Sequence, residues 1–330
     1  MNIHLSAKIV CWPLKTAFVT SQDHLLSIDV VHAELISNGI GGRGEALGVD
    51  YHGETAESML ADIESVRPIV EAGADIASLR KLLLQSLPAG GARNALDCAA
   101  WDLEAKTSGQ RVWSLLDMPA KPVNTMITIN LDRPEAMAEQ AIEARHFSVL
   151  KLKVDAGNPI ACIEAVRRAR PDCQLVIDAN SDWTIEQLQS WAPACKSLNV
   201  SLIEQPLPVG ADEALADMQF DIALCADESI QDREQFDYVA KRYPAVNIKL
   251  DKTGGLTEAL YLLEKARLAG LQVFVGNMLG SSLAMAPAFL IAQYSQWVDL
   301  DGPLLQSNDV QPAINYRHSM MWAPDPQLWG

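Results

Sequence analysis

Apolar and polar positions change their period twice along the chain, and the changes divide it. Up to about residue 50 the alternation is that of strands. An extended run covers 28–36, Asn38-Gly39 is a hairpin-turn signal, and 41–46 follows as the returning strand. A loop over 14–24, carrying Phe18, is expected between the first two strands. From 54 to about 116 the period becomes helical, with Ala92, Ala95, Leu96, Ala99 and Leu103 at spacings of three and four and Trp101 beside them. Beyond Pro119 and Pro122, short apolar runs alternate with amphipathic segments. Strands are predicted over 123–130, 147–154, 173–180, 201–205, 222–227, 245–251, 271–276 and 297–301. Thr184 with Gln187, and Asp232 with Gln235, have capping-box spacing, and Pro159 suits a first helical turn. Strands and helices in this order predict an α/β barrel, a modified TIM barrel of (β/α)7β form, over 119–307. Residues 1–118 form an α+β capping domain, and the tail 308–330 is expected to pack back on it.

The polar faces of the barrel strands carry the chemistry. Side chains alternate along a strand, so Leu150, Leu152 and Val154 share one face and Val149, Lys151 and Lys153 the other. In the next strand Leu175, Ile177 and Ala179 oppose Val176, Asp178 and Asn180. Glu204 shares a face with Leu202, Asp227 with Ala223 and Cys225, Lys249 with Asn247 and Asp251, and Asp299 and Asp301 with Trp297. Lys153, Asp178, Glu204, Asp227 and Lys249 follow one another at separations of 25, 26, 23 and 22 residues. Each separation is one βα repeat, so the same height is used on successive strands. The apolar faces must meet the helix layer, which turns the charged faces into the barrel, where barrel enzymes assemble their sites. An isolated K-x-K suits an exposed edge strand equally well, and the carboxylates would then serve only to neutralise lysines. Ionisable groups gathered by accident would, however, carry a heavy desolvation cost unless they pair or bind a metal.

Three oxygen donors, Asp178, Glu204 and Asp227, suit a hard octahedral cation. Mg²⁺ fits best, Mn²⁺ can substitute, and no His or Cys cluster favours zinc. Lys153 and Lys249 would flank a ligand held there. An ordinary lysine titrates at about 10.4, and mutual repulsion, metal charge and partial burial are expected to lower it toward roughly 7–8. One neutral and one protonated lysine on opposite faces can remove a proton and return it on the other side. That is 1,1-proton transfer through a metal-stabilised enediolate, hence racemisation or epimerisation.

Charge excludes other classes. Acidic residues outnumber basic ones, 42 against 26, for a net charge of −16 over 330 residues, which repels nucleic acid and anionic membranes. The start of the chain lacks a signal-peptide pattern, and the oily stretch 285–292 is far short of the roughly 20 residues that span a bilayer. The six cysteines form no C-x-x-C pair and read as reduced thiols of a cytoplasmic protein.

Five ordered motifs add a resemblance: K-x-K at 151–153, D-A-N at 178–180, E-Q-P at 204–206, A-D-E-S at 226–229 and N-I-K-L-x-K-x-G-G at 247–255. With L-P-A-G-x-A-R-N-A-L-D-C-A-x-W-D-L at 87–103, the chain resembles the enolase superfamily, its muconate-lactonizing subgroup and, within that, the dipeptide epimerases. The resemblance implies Lys153 and Lys249 as the acid/base pair, Asp178, Glu204 and Asp227 as Mg²⁺ ligands, and Lys151 as a partner of the carboxylate or enolate oxygen. Asp299 and Asp301, a D-x-D at the end of the eighth strand, would bind the free α-ammonium of a small dipeptide substrate. Phe18 would be a lid residue over the site, and Met278, Ser281 and Ser282 would line the pocket. The resemblance leaves room for a homo-oligomer. The implied activity inverts the α-carbon of the C-terminal residue of an L-Ala-L/D-Xaa dipeptide, with L-Ala-D/L-Glu from peptidoglycan turnover as the default. One departure is that no arginine occurs between Lys15 and His24, so a glutamate side chain lacks a bidentate partner there. Cycloisomerases, o-succinylbenzoate synthases and N-acylamino acid racemases use the same lysines on substrates without the ammonium. A non-catalytic carboxylate-binding protein on the same fold is the remaining alternative.

Overall fold

The N-terminal strand pattern folds into an antiparallel meander of β1 (His4–Val19), β2 (His24–Ser37) and β3 (Ile40–Leu47) in the computed structural model, which describes residues 2–330. Asn38 and Gly39 both take positive φ, 52° and 79°, as a two-residue hairpin turn requires. Alternation sends Val31, Ala33 and Leu35 inward, where they pack with Ala92, Ala95, Leu96, Ala99 and Leu103 of the helix Gly91–Ser108. That helix lies so close on β3 that a Cβ at Gly44 would overlap the Ala95 carbonyl. The loop expected over 14–24 shrinks to a turn at 20–23. Phe18 sits on β1 and pairs with Leu25, after a register shift between Pro13 and Phe18. The strand persists because its end is tied elsewhere: Leu14 bridges Gln306, and the Val19 N–H donates to Asn130 Oδ1 at 3.0 Å.

The second part is a parallel sheet of eight strands in sequential order. Following the edge strand β4 (Val123–Asn124), its members are β5 (Ile127–Ile129), β6 (Val149–Lys153), β7 (Gln174–Asp178), β8 (Val200–Glu204), β9 (Ala223–Ala226), β10 (Ala245–Lys249), β11 (Gln272–Gly276) and β12 (Trp297–Val298). The first and last strands meet through Met126 N–H donating to the Val298 carbonyl at 2.9 Å. Apolar faces behave as the alternation predicts. Leu150, Leu152, Leu175, Ile177, Ile203, Leu224, Val246 and Ile248 join the outer core beneath the helices, whereas Val176, Leu202, Cys225, Ala245 and Phe274 fill the interior.

Three predicted elements end differently. The strand over 123–130 breaks at Thr125 and Met126, which close the barrel, and β4 pairs instead with β14 (Met320–Met321), itself paired with β13 (Tyr316–Arg317). The strand over 297–301 stops at Val298, leaving Asp299 and Asp301 on the following loop. The strand over 245–251 stops at Lys249 and turns into the short helix Leu250–Thr253, so Asp251 leaves the barrel face. Thr184 and Gln187 do form a reciprocal capping box, and Pro159 opens its helix. Asp232 does not cap. Its N–H donates to Gln235 Oε1 at 2.9 Å, but the helix begins only at Phe236.

The chain end reaches the helix Gly91–Ser108: Gly330 N–H donates to Asp102 Oδ1 at 2.6 Å and Trp329 Nε1 to the Cys98 carbonyl at 3.0 Å. Among the described residues no helix is long and apolar enough to cross a membrane. Asp251 ties the two parts together, its Oδ1 accepting from Leu47 N–H at 3.2 Å and Asn94 Nδ2 at 3.0 Å. Burial raises its pKa from 3.8 to about 7. Between those values the folded chain keeps a proton that the unfolded chain releases, so stability falls as pH rises through that window. Asp251→Asn removes the titration and keeps an oxygen acceptor. Urea titrations at pH 5 and pH 8 are expected to show the variant gaining on the wild type by about 1 kcal/mol or more at the higher pH.

Candidate active site

Parallel pairing sets the height of the charged groups. Lys153 is in register with Asp178, Asp178 with Glu204, and Glu204 with Cys225, two residues before Asp227 on the same face. On the far side Lys249 is in register with Gly276, whose missing side chain leaves room for the lysine stem. Lys151 Nζ lies 3.0 Å from Asp178 Oδ2, 2.8 Å from Glu204 Oε2 and 3.0 Å from Asp299 Oδ2. Lys153 Nζ donates to Asp178 Oδ2 at 2.8 Å and to Asn180 Oδ1 at 3.0 Å. Lys249 Nζ lies 2.7 Å from Asp227 Oδ2 and 3.7 Å from Met278 Sδ.

All three lysines line one cavity of about 740 Å³, together with Phe18, Met278, Asp299 and Asp301. The Phe18 ring lies 5.8 Å from Lys153 Nζ. Asp178, Glu204 and Asp227 are fully buried behind the lysines and do not form the cavity wall. Ser281 and Ser282 do not line it either. Ser281 caps the helix Ser282–Ala292 and donates from Oγ to Glu45 Oε2 at 2.6 Å, while Ser282 Oγ donates to Asp309 Oδ2 at 2.6 Å.

Charges inside the site act on one another at close range. Burial works to lower Lys249, but Asp227 beside it prevails, and its pKa is raised above the ordinary lysine value; Lys151 is raised likewise by Asp299, Glu204 and Asp178. Asp178 shows the reverse balance: burial pushes it up, and Lys153 and Lys151 pull it well below the carboxylate range. Asp227 is lowered in the same way, with Lys249 and Lys252 outweighing burial. Burial and the neighbouring Asp178 carry Glu204 up to about 8, and burial with Asp299 carries Asp301 up to about 7.

The donors fit a hard cation. Glu204 Oε2 and Asp227 Oδ2 are buried carboxylate oxygens without an aligned hydrogen-bond partner, and the set is all oxygen. Among the described residues the three carboxylates are not closed about a common point, because the Lys151 ammonium stands between Asp178 and Glu204.

Several supporting residues carry no role in the sequence reading. Asn247 Nδ2 donates to Glu204 Oε1 at 2.6 Å, and buried Lys252 donates to Asp227 Oδ1 and to its carbonyl at 2.5 Å each. Asn247 shares a strand face with Lys249, so its direction is legible from alternation. Lys252 lies on the short helix Leu250–Thr253, one residue past the predicted strand. Cap residues Asp23, Asp50, Tyr51 and His52 also reach the cavity wall, across a distance no local pattern spans.

A capped parallel barrel with lysines and carboxylates gathered at the carboxyl ends of its strands has the layout of a barrel enzyme. Residues 3–117 match the mandelate racemase/muconate lactonizing enzyme N-terminal domain, and residues 134–327 match the enolase C-terminal domain-like model. The chain belongs to the mandelate racemase/muconate lactonizing enzyme family of the enolase superfamily. It is 45% identical over 248 residues to an N-acetyl-D-glutamate racemase from Pseudoalteromonas sp., covering 75% of this chain and 79% of that one. It is 39% identical over 308 residues to the L-Ala-D/L-Glu epimerase of Escherichia coli K12, covering 92% and 95%. Both relatives are isomerases. A solved enolase-family member from Agrobacterium tumefaciens, with homology to dipeptide epimerases and with sodium and L-Ala-L-Glu bound, superposes with a TM-score of 0.95 at 41% identity, covering 99% of this chain and 100% of that one. A dipeptide epimerase from Enterococcus faecalis V583, complexed with Mg and L-Leu-L-Tyr, gives a TM-score of 0.92 at 26% identity, covering 98% of each chain.

Proposed function

We propose that this chain is a Mg²⁺-dependent epimerase of dipeptides, with Lys153 and Lys249 as its acid/base pair. The observation that carries the reading is that both amines enter one cavity from opposite ends of a row of carboxylates, beside Asp299 and Asp301. Asp178, Glu204 and Asp227 would hold the cation, and Mn²⁺ would substitute. When bound, the cation supplies Lewis acidity to the substrate carboxylate and relieves the carboxylates of their hold on the lysines.

One lysine, as the free amine, takes the α-proton. The Cα–H bond breaks, and its electron pair moves into the carboxylate to give an enediolate. The other lysine, as the ammonium, delivers its proton to the opposite face of Cα. Lys151 neutralises the growing oxyanion charge, and the buried ring of Phe274, 5.3 Å from its ammonium, forms the floor beneath it. Asp299 Oδ1, buried without a hydrogen-bond partner, is an acceptor for the substrate's amino group. Phe18 shields Lys153 from water. All six cysteines are free, which suits a reducing compartment and supports a cytoplasmic location.

The 45% identity to an N-acetyl-D-glutamate racemase favours a second reading, inversion of an N-acylated amino acid by the same lysines. No arginine is among the cavity-lining residues, so neither reading is tied to a glutamate side chain through such a pair. Incubation with Mg²⁺ in D₂O, using L,L-dipeptide mixtures and N-acetyl-L-amino acids in parallel, separates them. Mass spectrometry should find α-deuterium in dipeptides. Exchange confined to N-acyl substrates would establish the second reading, and none in either would leave a binding protein. Asp301→Asn is a sharper probe, because Asn retains an acceptor for the Thr128 N–H that now donates to Asp301 Oδ2 at 2.8 Å. With dipeptides at pH 8, above the value of about 7 to which Asp301 is raised, kcat/KM should fall by about 10–100-fold through the lost charge, while N-acyl substrates change little.

A further inference from the structure

The two lysines differ in what holds them. Beyond its aspartate, the Lys249 ammonium bonds only to the Met278 thioether among the described residues. Lys153 has a polar arm. Its ammonium donates to Asn180 Oδ1 at 3.0 Å, and Asn180 Nδ2 donates to Glu228 Oε1 at 3.2 Å. A lysine can only donate and a carboxylate can only accept, so a primary amide is the adapter that joins them in series, and its orientation is fixed by its two neighbours. Asn180 and Glu228 both line the cavity, and Glu228 Oε2 is buried there without a hydrogen-bond partner. Asn180 also takes a left-handed backbone conformation, φ 43°, which aims its amide between the two groups, and Gln22 Nε2 reaches its carbonyl from the cap at 3.4 Å.

We infer that Glu228, acting through Asn180, is a positioning residue for Lys153 alone, so that the two faces of proton transfer are governed separately. The inference rests on the reading of Lys153 and Lys249 as the acid/base pair. Glu228 anchors the amide, the amide holds the Lys153 amine on one rotamer over the α-carbon, and Lys249 hydrogen-bonds to neither, sensing Glu228 only through its charge.

The test is α-proton exchange in D₂O, followed separately from inversion for each substrate epimer. The variants Lys153→Ala and Lys249→Ala first assign which epimer each lysine deprotonates. In Glu228→Gln, inversion is expected to slow by about 10–100-fold, the usual cost of losing a supporting hydrogen-bond partner. The epimer deprotonated by Lys249 should still exchange its proton with retention at close to the wild-type rate. Asn180→Gly, which tolerates the left-handed backbone, should reproduce this one-sided loss, and the double variant should be no slower than either single one. Mn²⁺ affinity, titrated by electron paramagnetic resonance, should stay close to wild type in both single variants, because neither side chain hydrogen-bonds to Asp178, Glu204 or Asp227.

Equal loss of exchange from both epimers, no loss in either variant, additive losses, or weakened Mn²⁺ binding would each overturn the positioning role. If the wild type exchanges no dipeptide or N-acylamino acid proton, the underlying functional reading fails and takes this inference with it. Exchange by the wild type with symmetric variant effects removes only the inference.

Discussion

Lys153→Ala and Lys249→Ala will each lower the rate of epimer inversion by at least about 10²–10⁴-fold, the range that positioned proton transfer contributes. Each variant will nevertheless keep one activity. With Lys153 gone, the amine of Lys249 still removes the proton from the epimer that faces it and returns deuterium to the same face. Retention with exchange for one epimer, and silence for the other, is therefore the expected nuclear magnetic resonance result in D₂O, and the pattern should reverse between the two variants. A single variant that exchanged both epimers would mean that one lysine serves both faces, against the placement of the two amines beside different carboxylates, Asp178 and Asp227.

Glu204→Gln will weaken divalent cation binding by about 100-fold or more and lower turnover accordingly, while costing little folding stability in the absence of metal. Glu204 is the member of the carboxylate row whose pKa is raised, to about 8, so a neutral group already suits its surroundings. Asp178 and Asp227 are the contrast. Each is lowered by three lysines, and replacing either with a neutral side chain leaves buried ammonium groups uncompensated, at a cost of about 3–5 kcal/mol. Calorimetric titration with Mg²⁺ reads the affinity directly. A thermal melt offers an independent measure, since the wild type should gain about 2.7 kcal/mol at a cation concentration 100 times Kd. Glu204→Gln should gain almost nothing at that concentration, and an equal gain would remove Glu204 from the cation site.

Side-chain alternation along the strands carried much of the architecture. A period of two places Leu150 and Leu152 outward and Lys151 and Lys153 inward whatever the rest of the chain does, and one βα repeat between charged residues puts them at a common height. The register of Lys153 with Asp178 and of Asp178 with Glu204 follows from that spacing, as does the shared cavity of Lys151, Lys153 and Lys249, whereas Asp299 and Asp301 reach it from the loop after β12. Phe18 and Met278 reach the same cavity, although Phe18 does so from a strand and not from the expected loop.

Element ends were less legible. Asp251 continues the apolar–polar alternation of its strand, yet it leaves the barrel because Leu47 and Asn94, far away in the chain, offer it hydrogen bonds. Ser281 faces Glu45 and not the cavity for the same kind of reason. The proton affinity of Lys249 was not legible in the sequence because it depends on distances: 2.7 Å from Lys249 to Asp227 outweighs burial. The sequence by itself determined the order of the strands, the face each charged residue takes and the family to which the chain belongs. Only the tertiary structure decided where strands stop, which carboxylate holds which amine, and that Lys153 but not Lys249 is braced by Asn180 and Glu228. Alternation is a property of neighbouring residues, whereas those pairings join groups up to hundreds of positions apart and exist only once the barrel and its cap have closed on each other.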